Sequence, residues 1–128
     1  MDRAYDQMRP WSADAIAETL ANPHSVLLTH DHGALIAQIV ADECEILALA
    51  TDPMAQRMGI ASALLSDLIR TAQDKSATRI FLDVASQNAP ARAFYAAKGF
   101  APVGQRKGYY TLRDGTKDDA LLLSRPVP

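Results

Sequence analysis

Residues 52–61 of the 128-residue chain are DPMAQRMGIA, and they join an apolar segment to a long amphipathic pattern. The first backbone N–H groups of a helix have no partner within it, and the helix dipole adds partial positive charge there. A phosphate or pyrophosphate group is therefore expected to bind at this junction. Gly59 and Ala61 carry almost no side chain, so a ligand can approach the main chain closely. From Gly59 alone, a plain turn between a strand and a helix has about equal weight.

The patterns on both sides of this junction predict a mixed α+β domain. Residues 45–51 form a nearly all-apolar strand, which we expect to be buried on both faces. Across 60–72, apolar residues recur at i, i+4, which predicts a helix with one apolar stripe. A strand over 79–84 and a helix over 89–98 follow.

Shorter patterns complete the order of elements. A helix is expected from Ser12 to Leu20, and a hairpin follows with strands over 26–29 and 34–41. The last two strands are expected around Tyr109 and over 120–124. The predicted fold is a three-layer α+β domain, with a mixed central β-sheet flanked by helices, over residues 1–128 without a second domain.

The composition narrows the class of protein. The chain is 48% hydrophobic and carries a formal net charge of −2, which argues against broad nucleic-acid binding. Its single cysteine, Cys44, excludes an intramolecular disulfide and is typical of a cytoplasmic protein. Because no apolar run approaches the ~20 residues of a membrane span and the amino terminus lacks a signal-peptide core, we expect a cytoplasmic protein without membrane partners.

The strand over 79–84 carries one carboxylate, Asp83, among apolar residues. Alternation puts Asp83 on the face opposite to its apolar neighbours. Burying a carboxylate is costly unless it is paired or functional, so Asp83 is a partly solvated residue, a structural hydrogen-bond acceptor or a catalytic group, and the first two have slightly more weight from spacing alone. In the next helix Asn88 suits an N-terminal cap, and Tyr95 suits either aromatic packing or chemistry.

Two motifs carry a family resemblance. The junction matches neither a P-loop nor a G-x-G-x-x-G loop. Instead, residues 56–61, QRMGIA, resemble the acetyl-CoA signature Q/R-x-x-G-x-G/A of the GNAT superfamily of N-acetyltransferases. Residues 82–88, LDVASQN, and 93–100, AFYAAKGF, resemble the pattern of the bacterial ribosomal-protein-alanine N-acetyltransferases. The likeness extends to further segments: 9–12, 105–110 and 117–120.

The resemblance implies a GNAT-like fold with acetyl-CoA as cosubstrate and no metal. It implies that the backbone of Leu49, Ala50 and Thr51 flanks the pantetheine arm and the acetyl group, and that Asn88 contacts the arm. The pyrophosphate would be held by backbone amides at the start of the helix: Arg57, Met58, Gly59, Ile60, Ala61 and Ser62.

The resemblance also assigns the chemistry. Tyr95 would be the general acid that protonates the departing CoA thiolate. Asp83 stands where the family has a glutamate that acts as general base. Since its side chain is one methylene shorter, we expect Asp83 to act through a bridging water.

The final hairpin is where the family receives its peptide. The expected substrate-binding residues are Tyr109, Tyr110 and Asp119. With Asp118, they would recognise a basic N-terminal peptide, although cross-strand packing and a charged edge fit the sequence equally well. A second departure from the family is the apparent lack of its first strand, which would leave a sheet edge exposed or covered by a partner.

The acceptor is predicted to be an N-terminal α-amine. Deprotonating an α-amino group at pH 7 costs about 1.4 kcal/mol, against about 4.6 kcal/mol for a lysine. A carboxylate that acts through a bridging water is better matched to deprotonating an α-amino group than to deprotonating a lysine. Direct transfer in a ternary complex is expected from the Asp83–Tyr95 pairing and from the absence of a convincing nucleophile. Cys44 has no histidine in a recognisable pairing and suits an inert small hydrophobe. His30 and His32 suit a solvated turn, and no metal site is predicted.

Two rival functions remain open from the sequence. GNAT folds accept many amines, so a polyamine, amino acid or antibiotic could be the acceptor. The substitution at Asp83 and the short amino terminus also fit a non-catalytic acetyl-CoA-binding module that regulates a partner.

Overall fold

The computed structural model describes residues 13–52, 59–112 and 114–128. Within these ranges the elements follow the predicted order. They are α1 (Ala13–Ala21), β1 (Ser25–His30), β2 (Gly33–Val40), β3 (Glu43–Thr51), α2 (Ile60–Asp74), β4 (Arg79–Ala85), α3 (Ala89–Ala97), β5 (Ala101–Thr111) and β6 (Lys117–Pro126). None of the helices in the described ranges is long and apolar enough to cross a membrane.

The strands form one six-stranded mixed sheet in the order β1-β2-β3-β4-β6-β5. Neighbouring strands are antiparallel except β3 and β4, which are parallel. A parallel pair needs a long crossover connection, and α2 supplies it. The sheet and its helices form the predicted three-layer α+β architecture, and this prediction is confirmed.

Helix α2 buries its apolar stripe against the sheet. The residues predicted to form one row are at most 3% exposed: Ile60, Leu64, Leu68 and Ala72. They share one core cluster with Leu35 of β2 and Ile80 of β4. Burying a leucine fully stabilises the fold by about 1.5–3 kcal/mol, so this stripe fixes the position of α2 against the sheet.

Strand β3 is not buried on both faces, and that prediction is wrong. Cys44, Ile46 and Ala50 are buried, whereas Glu43 and Glu45 are exposed and the residues of 47–49 are partly covered. The reason is that α2 covers one face of β3, while α1 packs mainly against β1. An apolar strand therefore has one face that is only partly covered by the described elements.

The edges of the described sheet are β1 and β5. The expected lack of a strand before α1, and the helix start at Ser12, fall on residues 1–12 and lie outside the described residues. At the other edge, β5 is eleven residues long and exposed throughout except at Tyr110.

Candidate active site

The parallel strands β3 and β4 separate towards their carboxyl ends. Their register covers three residue pairs, from Glu43–Arg79 to Glu45–Phe81, although β3 continues to Thr51 and β4 to Ala85. Beyond this point β3 pairs only with β2, and β4 only with β6, among the described strands. The two facing backbone edges thus form a gap that an extended ligand can enter. The predicted cofactor-binding residues Leu49, Ala50 and Thr51 lie along the β3 side of this gap.

The described end of the junction loop has the geometry of an open helix start. Gly59, the residue before α2, has φ 74° and ψ 17°, a left-handed conformation that favours glycine, and no side chain caps the helix there. A Cβ at Gly59 would meet nothing within 4 Å. Ile60 is buried, whereas Ala61 and Ser62 are partly exposed. Two predicted pyrophosphate-binding residues lie outside the described ranges: Arg57 and Met58.

Gly33 links the two sides of this region, a role that the sequence analysis missed. A Cβ on Gly33 would lie 2.8 Å from the carbonyl oxygen of Ala50 and 3.1 Å from Cγ2 of Ile60. The end of β3 and the start of α2 therefore pack directly on the glycine. The sequence signal was present in the turn His32-Gly33, but a turn explains a glycine without any need for close packing.

Asp83 lies in the middle of β4 at the gap and is partly exposed. Its Oδ1 atom is buried and has no hydrogen-bond partner among the described residues. Strand alternation directs Asp83 to the same face as Ala85, opposite to Leu82 and Val84. Because a buried carboxylate oxygen without a partner is unfavourable, it is positioned to accept a hydrogen bond from a polar ligand or a water molecule.

Tyr95 lies on the other side of the sheet from Asp83. It is 8% exposed and belongs to the core cluster that contains Leu82 and Val84. Its ring makes edge-to-face contacts with Phe94 and Phe100, at centroid distances of 5.1 and 5.3 Å. The structure thus places the predicted acid and base on opposite faces of β4, rather than side by side.

Asn88 caps the start of α3, as its position in the sequence predicted. Its side-chain oxygen accepts a hydrogen bond from the backbone N–H of Ala91 at 3.3 Å. Pro90 occupies the first turn, where a proline needs no hydrogen-bond partner. The cap fixes the start of the helix that carries Tyr95.

A wide bulge shapes the final hairpin. Arg106 pairs with Ala120 and Tyr110 with Asp118, so residues 107–109 of β5 lie opposite Asp119 alone. Both carboxylate oxygens of Asp119 hold this bulge. They accept hydrogen bonds from Gly108 N at 2.8 Å and from Gln105 Nε2 at 2.6 Å. Asp119 is therefore engaged within its own hairpin.

The two tyrosines of the hairpin have different environments. Tyr109 is 44% exposed, and the guanidinium of Arg106 lies 5.4 Å from its ring centroid. Tyr110 is 7% exposed and packs in a small cluster with Ala85 and Ala120. That cluster lies on the same face of β4 as Asp83, whereas Tyr109 faces solvent.

Asp118 is not part of a charged edge. It is 4% exposed and accepts hydrogen bonds from the Ser86 hydroxyl, Gln87 N and Asp119 N. Burial by itself would raise the pKa of Asp118, but these three hydrogen bonds outweigh it and hold the pKa below its usual value. Sequence alternation could not distinguish this inward carboxylate from its outward neighbour, because both are aspartates.

Cys44 is an inert thiol at neutral pH. It is fully buried, and burial together with the charge of Glu45 raises its pKa to about 12. It also lies where β3 is still paired with β4, opposite Ile80 and away from the gap. Since the thiolate is the nucleophilic form, Cys44 is unsuited to accept an acyl group.

The histidines of the first hairpin are spread out. The ring centroids of His30 and His32 are 6.3 Å apart, and Nδ1 of His32 is 4.0 Å from Asp52. Among the described residues, no group of three or more His, Cys, Asp or Glu side chains is placed to hold a metal ion.

Fold and site together define a family. The Acetyltransferase (GNAT) family model matches residues 3–100, more than half of the chain. The chain therefore belongs to the GNAT acetyltransferase family. It is an acetyl-CoA-dependent N-acetyltransferase, and its predicted family, fold, enzyme class and cosubstrate are confirmed.

Similarities to known proteins show which branch of the family the chain resembles. The chain is 31% identical over 122 residues to the [ribosomal protein bS18]-alanine N-acetyltransferase of Escherichia coli strain K12, covering 92% of this chain and 82% of that protein. It is 30% identical over 120 residues to the putative enzyme of that name from Bacillus subtilis strain 168, covering 89% and 78%. The crystal structure of the ribosomal-protein-S18-alanine N-acetyltransferase from Escherichia coli has a TM-score of 0.83 and 31% identity, covering 93% of this chain and 79% of that chain. The predicted likeness to this branch is confirmed.

Proposed function

We propose that residues 1–128 act as one domain that acetylates the N-terminal α-amine of a protein, with alanine as the first residue and a ribosomal protein as the substrate class. The observation that carries this proposal is Asp83, whose buried Oδ1 has no hydrogen-bond partner among the described residues at the gap between β3 and β4. The names of the relatives support the same acceptor class.

Acetyl transfer needs a neutral amine, a stabilised oxyanion and a protonated leaving sulfur. Asp83 takes the proton of the ammonium group, directly or through a water, on one face of β4. Tyr95 gives a proton to the CoA thiolate on the other face. The thioester lies in the gap between the two faces, so base and acid act from opposite sides of the same carbonyl carbon.

The β3 side of the gap supplies the remaining electrostatic contacts. A backbone N–H of β3 beyond Glu45, where β4 no longer pairs, is the proposed oxyanion donor. Leu49, Ala50 and Thr51 flank the pantetheine arm, and Asn88 contacts it. The pyrophosphate is held by the amides of Gly59, Ile60, Ala61 and Ser62 at the start of α2. By the family resemblance, the amides of Arg57 and Met58, which lie outside the described residues, complete this site.

The acceptor enters on the Asp83 face, beside the final hairpin. Tyr110 lies on the same face of the sheet as Asp83, and Tyr109 presents an exposed ring. Asp119 shapes this surface by holding the bulge of β5, and we propose that it favours a basic peptide. The buried, protonated Cys44 supports direct transfer in a ternary complex without an acetyl-enzyme.

The test is acetylation of a mixed panel with acetyl-CoA, followed by mass spectrometry. The panel holds peptides with free Ala, Ser, Gly or Met N-termini, N-blocked lysine peptides, and small amines. We expect selective acetylation of the peptide α-amine, with alanine preferred, and no acetyl adduct on Cys44. Acetylation of small amines alone would contradict the proposed acceptor class. Binding of acetyl-CoA without turnover of any acceptor would favour a regulatory module instead.

A further inference from the structure

The chemistry proposed above leaves one buried carboxylate, Asp118, unused. Among the described residues it is the charged side chain with the lowest exposure, at 4%. It lies in β6, opposite Tyr110 of β5, on the edge of the sheet region that carries Asp83. A buried carboxylate that only stabilised the hairpin would be expected to bond to hairpin atoms, so its partners are informative.

The partners of Asp118 lie largely in the loop between β4 and α3. The Ser86 hydroxyl donates to Oδ1, and the backbone N–H of Gln87 donates to Oδ2 at 2.9 Å. The N–H of Asp119 donates to Oδ1 at 2.8 Å. Ser86 N also donates to the carbonyl of Asp119 at 2.8 Å. The loop is thereby attached to β6 immediately before α3 begins.

This attachment sets the start of α3. Asn88, the next loop residue, donates its N–H to the carbonyl of Ala85 at 2.9 Å and caps the helix with its side chain. Arg92 of α3 donates to the carbonyl of Ser86 at 2.9 Å. Tyr95 follows about two turns further along the same short helix. Because backbone hydrogen bonds join successive turns of a helix, we expect a shift of the loop to change the position of the Tyr95 ring.

We propose that Asp118 is a positioning residue: its hydrogen bonds to the loop set the start of α3 and thereby the position of Tyr95, the proposed general acid. This inference rests on the proposed role of Tyr95 as general acid. Asp118 touches neither substrate in this scheme and acts through the loop. It connects the hairpin that receives the acceptor with the helix that protonates the leaving group.

The experiment compares Asp118→Asn with the matched control Asp114→Asn. Asp114 lies in the same hairpin and accepts hydrogen bonds from Thr116 N at 3.0 Å and Thr116 Oγ1 at 2.6 Å, without contacting the β4–α3 loop. In Asp118→Asn the amide cannot accept from both Gln87 N and Asp119 N, so one contact is lost. With a peptide carrying a free N-terminal alanine, we expect kcat to fall on the order of 10-fold to 100-fold, since a ~1 Å misplacement costs up to about 10²-fold. The KM for acetyl-CoA and the kcat of Asp114→Asn should stay within about twofold of the parent protein.

A double-mutant cycle with Tyr95→Phe separates positioning from general stabilisation. If Asp118 acts through the tyrosine hydroxyl, Asp118→Asn lowers kcat little in the Tyr95→Phe background. An equal loss in both backgrounds, or no loss in either, would overturn the inference. If Tyr95→Phe alone retained full kcat, the general-acid assignment would fail and this inference with it.

A milder variant and a second readout keep the proposal testable if Asp118→Asn folds poorly. Ser86→Ala removes the hydroxyl contact but keeps both backbone contacts, and it should lower kcat in the same direction by a smaller factor. Hydrogen exchange does not depend on any acceptor. In Asp118→Asn, exchange should accelerate at the amides of 86–98 but not in β1–β3. Unchanged exchange at the amides of 86–98 would contradict the proposal, whether or not the protein acetylates a peptide. Failure of the parent protein to acetylate any peptide would separately overturn the proposed function.

Discussion

Asp83 keeps a carboxylate oxygen buried, with no hydrogen-bond partner among the described residues. Such a group is unfavourable by about 1–3 kcal/mol, and more when it is charged. An apolar side chain at this position of β4 would be the more stable choice for folding alone. The unfavourable arrangement is what a ligand-binding or catalytic carboxylate requires, because its hydrogen-bond capacity has to remain free for the substrate.

The first prediction concerns this carboxylate. Asp83→Asn should lower kcat by about 10²–10⁴-fold, since general-base catalysis contributes a factor of this size. Thermal stability should be unchanged or slightly higher, because the amide carries no charge. Steady-state kinetics with an alanine-terminated peptide and thermal melting measure the two effects.

The matched control is Glu45→Gln, which removes an exposed carboxylate from the paired end of the neighbouring strand. It should leave kcat unaltered. Asp83→Glu, which keeps the charge, should retain far more activity than Asp83→Asn. Equal activity of Asp83→Asn and the parent protein would refute the role of Asp83 as base.

The second prediction concerns Asp119. Because Asp119 holds the bulge of β5 through Gly108 and Gln105, Asp119→Ala should release Tyr109 from its position. We expect the KM of the peptide to rise about tenfold, which corresponds to about 1.4 kcal/mol. The KM of acetyl-CoA serves as the internal control and should not change. A peptide KM equal to that of the parent protein would show that the bulge is irrelevant to the acceptor.

At the scale of elements, the junction of β2, β3 and α2 depends on the missing side chain of Gly33. The carbonyl of Ala50 and the side chain of Ile60 occupy the space that a Cβ would need. Both neighbours belong to the proposed acetyl-CoA site. The backbone geometry of that site therefore depends on contact between elements.

The third prediction tests this contact. Gly33→Ala should destabilise the protein by about 1–3 kcal/mol, as overpacking does, and should raise the KM of acetyl-CoA. Gly104→Ala is the matched control, because its Cβ would lie 3.6 Å from Leu122, an ordinary contact distance. Chemical denaturation and steady-state kinetics compare the two variants. Equal stability and an equal KM of acetyl-CoA in the two variants would mean that β3 shifts to accommodate the added Cβ without affecting the site.

At the scale of the whole molecule, stability at acid pH depends on carboxylates with lowered pKa values. Asp118 has its pKa lowered by hydrogen bonds that outweigh burial, and Asp114 by hydrogen bonds from the side chain and the backbone of Thr116. An unfolded aspartate titrates near about pH 3.9. The stability from a depressed pKa is therefore present above that pH and is lost as the pH falls through the folded-state value.

The fourth prediction follows from the lowered pKa values of these two aspartates. The melting temperature should fall when the pH is lowered below about 4, and Asp118→Asn should make this fall shallower because it removes one titrating group. Asp114→Asn should have an independent effect, since it has different partners. Thermal melts between about pH 6 and pH 3 measure both slopes. A parent-like acid slope in Asp118→Asn would show that Asp118 does not contribute.

Much of the architecture could be predicted from local patterns. The i, i+4 apolar stripe of α2, the alternation in β4 and the glycine before α2 each encode an element through its own periodicity or conformation. The prediction for β3 failed because burial of a face depends on which helix covers it. The part of β5 that precedes Tyr109 was not predicted, because its exposed residues carry no apolar alternation.

The sequence by itself determined the family, the order of elements and the residue types of the site, because motif spacing and side-chain periodicity are properties of the chain. Only the tertiary structure decided that β3 and β4 part after three residue pairs and that Asp83 and Tyr95 lie on opposite faces of β4. It also decided that Asp118 points inward to the β4–α3 loop while Asp119 holds the β5 bulge. These features join residues far apart in the chain, and adjacent aspartates differ in role only through the partners that packing brings to them.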